Sequence, residues 1–117
     1  MTELEITKEI VKILDNKKAT DIKALNITEH SIVSDYFVIA TGTSNTHVKA
    51  LADEVEYEMD KLGVKVDHIE GRATGWILLD FSCVLVHLFT GESRDYYKLE
   101  RLWSDANELD LSDIIDG

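Results

Sequence analysis

The stretch Trp76-Ile-Leu-Leu-Asp-Phe-Ser-Cys-Val-Leu-Val-His-Leu-Phe89 decides how this chain folds. It is the most apolar part of the sequence, yet Asp80, Ser82 and His87 interrupt it and it falls short of the ~20 residues that a membrane-spanning helix needs. Its β-branched and aromatic content reads as two buried strands joined by a turn. A hairpin turning at Phe81 and Ser82 pairs Asp80 with Cys83, Leu78 with Leu85 and Trp76 with His87. Because side chains alternate along a strand, that register sorts two faces. One carries Ile77, Leu79, Val84, Val86 and Leu88, all aliphatic, and must lie under helices. The other carries Trp76, Leu78, Asp80, Cys83, Leu85 and His87, and two readings of it stay open. It is a binding surface anchored by Trp76, or a second core layer with its Asp and His satisfied.

Upstream, Tyr36 to Thr41 is β-branched and aromatic and stops at Gly42, as a central strand does. Thr43, Ser44 and Asn45 offer N-caps. Val48, Leu51, Val55, Met59 and Leu62 then step at helical spacing, with Gly63 placed to end the helix. Val64 to Ile69 alternates as a further strand, and the segment from Tyr36 through this helix to Val66 suits a right-handed crossover between parallel strands. At the start, Ile6, Ile10, Ile13 and Leu14 mark an amphipathic helix over residues 3 to 17. Residues 20 to 27 follow as a weak edge strand. Beyond the hairpin, Tyr96, Leu99, Leu102 and Trp103 resume helical spacing from Glu92 to about Ala106. The order predicts a mixed α/β fold: a mixed five-stranded sheet with helices packed on it.

A chain of 117 residues suits one domain, here residues 1–106, leaving 107–117 as an acidic tail expected to fray. Twelve Lys and Arg against 23 Asp and Glu give a formal charge of -11. Such a field repels phosphate backbones, so DNA and bare RNA are disfavoured and a basic protein is the natural partner. A lone cysteine, Cys83, cannot form an intramolecular disulfide, and Met1 to Glu9 carries three glutamates where a secretory leader needs a basic region. The expected compartment is the cytoplasm, with no membrane association.

No catalytic constellation emerges from the residues. The turn Ile39-Ala-Thr-Gly-Thr-Ser-Asn45 lacks the glycine spacing and lysine of a phosphate-binding loop, and simple helix capping accounts for it. A nucleotidyltransferase needs two carboxylates one residue apart to hold metal ions, whereas Asp80 has Ser82 as its neighbour. His30, His47, His68 and His87 lack zinc-site spacing. His68 with Glu70 reads as a solvated pair, and Cys83 as a small hydrophobe. No cofactor and no metal is expected.

Three segments together resemble one family: Ser34 to His47 (Ser-Asp-Tyr-Phe-Val-Ile-Ala-Thr-Gly-Thr-Ser-Asn-Thr-His), Glu70-Gly-Arg with Gly75 to Asp80 and Val84 to Phe89, and Glu92, Arg94 and Tyr96 to Glu100 with Leu102-Trp103. They are similar to the ribosomal silencing factor (RsfS, Iojap) family over residues 4 to 106. The resemblance implies a nucleotidyltransferase-like fold without transferase activity. It also implies binding to ribosomal protein number fourteen of the large subunit, which blocks joining of the small subunit and represses translation when nutrients fail. The partner-binding residues then expected are Trp76, Leu78, Asp80, His87, Arg94, Tyr96 and Tyr97. Where the family's hairpin turn commonly reads Gly then Asp or Ser, this chain has Ser82-Cys83. The alternatives are a degenerate nucleotidyltransferase or nucleotide-binding protein using Gly42 to Asn45 and Asp80, and a homodimer as the resting form.

Overall fold

The computed structural model describes residues 2–27, 36–71, 76–91, 107–112 and 114. The chain runs α1 (Glu3–Asn16), β1 (Thr20–Asn26), β2 (Tyr36–Gly42), α2 (Asn45–Lys61), β3 (His68–Glu70), β4 (Trp76–Asp80), β5 (Val84–Thr90) and β6 (Asn107–Glu108). Thr2 starts α1 with a reciprocal capping box: its hydroxyl accepts from the Glu5 amide while the Glu5 carboxylate accepts from the Thr2 amide. Ser44 caps α2 by accepting from the His47 amide. Gly63, at φ +83°, follows that helix in the left-handed region. The last expected helix, from Glu92, lies outside the described residues.

The expected five-stranded mixed sheet forms, in the order β3-β4-β5-β2-β1, and β6 extends it beyond β1. The two central strands, β2 and β5, run parallel from Tyr36 opposite Val84 to Gly42 opposite Thr90, while their flanking pairs are antiparallel. It follows that β2 and β3 point the same way and that the crossover through α2 passes over two strands before reaching the far edge. The strand expected from Val64 shrinks to His68–Glu70. Likewise, β1 is not an edge strand, because Asn107 and Glu108 pair with Asn26 and Leu25 and the Leu109 amide donates to the Ala24 carbonyl. Residues 107–109 of the acidic tail thus join the sheet. Leu109, Leu111 and Ile114 are half-buried against the main core, which holds them in place.

Both helices cover one face of the sheet. Ile6, Ile10 and Leu14 of α1 and Val48, Leu51, Val55 and Met59 of α2 pack on Ala24, Val38, Ala40, Ile77, Leu79, Val86 and Leu88. The aliphatic face of the hairpin is thus core, as alternation requires. Its register differs from the expected one by two residues: Trp76 pairs with Phe89, Leu78 with His87 and Asp80 with Leu85. The reason is Phe81, which is buried in the helix-side core and cannot occupy a solvated turn tip. The tip moves to Ser82 and Cys83, with the Phe81 amide donating to the Val84 carbonyl. Cys83 is half-buried and packs toward the helix side rather than the opposite face.

Candidate functional site

A shift of two residues preserves face membership, so Trp76, Leu78, Asp80, Leu85 and His87 still share the sheet face opposite the helices. A second, smaller core occupies its middle: Leu25, Ile27, Phe37, Ile39 and Phe89 are buried together, with Trp76 and Leu85 half-buried at its margin. Of the two readings left open by its residue types, a second core layer describes the middle of this face. Its centre is packed, and Trp76, Leu78, Asp80 and Leu85 remain partly accessible. Arg94, Tyr96 and Tyr97 lie outside the described residues.

Aromatic rings tie this face together. The Trp76 indole stacks on its cross-strand neighbour Phe89 (centroids 5.3 Å apart, 21° between planes) and on His87 (5.8 Å, 27°), and Phe37 lies 4.3 Å from His87. The Trp76 Nε1–H donates to His87 Nδ1 at 3.0 Å. His87 is only 6% exposed, and burial pushes its imidazole down to about 4, so it is neutral at physiological pH. With Nδ1 accepting, the proton sits on Nε2, which is buried and has no hydrogen-bond partner among the described residues.

Asp80 is engaged in the turn. Its Oδ1 accepts from the Ser82 amide at 2.7 Å, and its carbonyl accepts from the Asp67 amide. The Ser82 hydroxyl in turn donates to Asp67 Oδ2. Ser82 has φ +71°, a conformation glycine adopts without steric cost, and these bonds hold a serine there. Leu78 sits beside this network, opposite His87.

The Gly42 to Asn45 turn is braced by its own side chains. The Thr43 amide donates to His47 Nδ1 at 2.9 Å, the His47 amide donates to Ser44 Oγ, and His47 Nε2 bonds the Lys17 carbonyl at the end of α1. Two of the amides at this turn, those of Thr43 and His47, are therefore already bonded within the chain. Gly42 is needed because a Cβ there would meet Val48 Cγ2 at 2.9 Å and Val48 N at 3.1 Å. This glycine serves strand-to-helix packing. His68 and Glu70 form an exposed pair at 2.7 Å on the edge strand, and no trio of ligating side chains occurs among the described residues. A groove of about 400 Å³ beside α2, lined by Asp53, Glu56, Tyr57, Asp60, Lys65 and Val66, contains none of the expected site residues.

The residue types had not singled out Phe37, Ile39 and Phe89. Their signal was alternation along β2 and β5, which places them on the face of Trp76 once the strands are paired.

Residues 1–116 match the family model described as ribosomal silencing factor during starvation. The chain is 40% identical over 112 residues, covering 95% of both chains, to a Bacillus subtilis protein named ribosomal silencing factor RsfS. It is 33% identical to a mouse protein named mitochondrial assembly of ribosomal large subunit protein 1, covering 81% of this chain and 43% of that one. A crystal structure of a Chromobacterium violaceum protein superimposes with a TM-score of 0.86 at 35% identity, over 89% of this chain and 88% of the other. Sequence and fold agree over nearly the whole chain, and the protein belongs to the ribosomal silencing factor (RsfS) family.

Proposed function

We propose that this protein binds the large ribosomal subunit through its ribosomal protein number fourteen and, by occupying that position, blocks joining of the small subunit and lowers translation. The observation that carries the reading is the sheet face opposite the helices, where half-buried Trp76, Leu78, Asp80 and Leu85 surround a packed aromatic centre on a chain of this family. An indole held by a rigid sheet gives a large apolar contact at low entropic cost, and such residues dominate interface energies. The name of the mouse relative, which places that protein in large-subunit assembly, points to the same subunit. The charge of -11 favours a basic ribosomal protein over bare RNA. Arg94, Tyr96 and Tyr97 are proposed as flanking contacts.

Sedimentation with purified subunits tests this. The protein should travel with large subunits and not with small ones, and adding it should reduce the yield of joined ribosomes. Equal binding to both subunits, or binding that persists on large subunits lacking protein number fourteen, overturns the reading.

A further inference from the structure

We propose that His87 is a positioning residue, holding the Trp76 indole in the one orientation that the sheet face presents to its partner. This rests on the reading of that face given above, but reassigns His87 within it. At 6% exposure, His87 lies beneath the surface a partner would touch and acts through its neighbour.

Stacking on Phe89 and His87 fixes the plane of the indole but not which edge points where, since a ring flip keeps the faces in contact. The bond from Trp76 Nε1 to His87 Nδ1 removes that freedom, because only one of the two orientations brings the N–H to the acceptor. Phe37 and the β2–β5 ladder, which sets Ile39 opposite His87, fix the imidazole in turn. The position is costly to fill with histidine, for its Nε2–H is buried without an acceptor among the described residues. A phenylalanine would pack there without that cost and would keep a ring in the cluster. What histidine adds is the lone pair on Nδ1, and the group that uses it is Trp76. Burial keeps the ring neutral, so that lone pair stays available. An indole ordered before binding forfeits less side-chain entropy when the partner arrives.

The test measures affinity of the full chain for purified large subunits. His87→Leu should weaken binding roughly 3- to 10-fold, while His87→Asn, which keeps an acceptor near the place of Nδ1, should retain most of it. In a Trp76→Phe background, which keeps a ring but removes the N–H, His87→Leu should bring no further loss. An equal loss in both backgrounds overturns the proposal, because His87 would then act independently of the indole. A separate measurement needs no ribosome: with Trp103→Phe introduced so that Trp76 is the sole tryptophan, His87→Leu should lower the fluorescence anisotropy decay time of the indole. Unchanged anisotropy overturns the proposal as well. His87→Phe replaces His87→Leu if the latter does not fold. The outcomes separate from those of the face reading: if Trp76→Ala abolishes binding while His87→Leu leaves it unchanged, only the positioning role fails. If Trp76→Ala binds normally, the face itself is wrong, and the anisotropy still decides the role of His87.

Discussion

The His87 imidazole takes up its proton near pH 6.5 when the chain is unfolded but only near pH 4 inside the sheet, because burial penalises the charged ring. Between these values the unfolded state binds more protons than the folded one, so stability is full above about pH 6.5 and is lost as pH falls toward 4. The whole loss is of order 3 kcal/mol, at about 1.4 kcal/mol per unit. Calorimetry of the wild type and His87→Leu should show a steeper fall in melting temperature for the wild type across that window, and parallel curves would contradict the burial account. Trp76→Ala should lose ~2 to 4 kcal/mol of ribosome binding and about 2 kcal/mol of folding stability, less than full burial would give, since the ring is half-buried. Equilibrium denaturation beside binding separates the two. The residue types around Trp76 marked this face but could not rank its members. Whether Asp80 serves a partner or caps Ser82, and whether His87 is touched or buried, depends on where a turn two residues away places its tip.

At the scale of elements, the two glycines flanking α2 are held for different reasons, and this can be measured. Gly42→Ala forces a Cβ against Val48 Cγ2 and backbone and should cost ~1 to 3 kcal/mol through overpacking. Gly63→Ala meets nothing within 4 Å and should cost about 1 kcal/mol, from its φ of +83° alone. A larger loss at Gly63 than at Gly42 would reverse that assignment. Leu79→Ala, in the helix-covered core, should cost ~2 to 5 kcal/mol with no direct effect on a partner. Both helices were legible because their apolar spacing and caps are local features. The hairpin faces were legible for the same reason, but its register was not: alternation is unchanged by a shift of two, and only the burial of Phe81 selects between the two pairings.

For the molecule as a whole, contacts with the sheet and its core extend further along the chain than composition suggests. Two residues of strand and a few scattered aliphatics carry no periodicity, so residues after 106 read as an acidic tail. Yet Leu109, Leu111 and Ile114 rest against the core and Asn107 and Glu108 complete the sheet. Removing residues 107–117 should therefore destabilise the protein by about 3 kcal/mol, taking roughly half of the full burial of each aliphatic side chain, and chemical denaturation checks this. An unchanged midpoint would mean that the strand adds nothing. The place of the hairpin was hidden for a different reason. Nothing local announces that β4 and β5 insert between β2 and the strand that follows its helix.

That insertion has a consequence for how the chain reaches its native state. The ladder at the centre of the sheet joins Tyr36 to Val84 and continues to Gly42 and Thr90, so its contacts close only after the intervening chain, which holds α2, β3 and β4, has been gathered in. Neighbouring hairpins form on a scale of ~1–10 μs, whereas pairings of such long sequence separation place folding in the millisecond-to-second range. The chain contains no proline, so peptide-bond isomerisation cannot add a slow phase of its own. Refolding should then be a single exponential whose rate reports the meeting of β2 with β5, and a substitution confined to that ladder will slow it where one at the β3 edge will not.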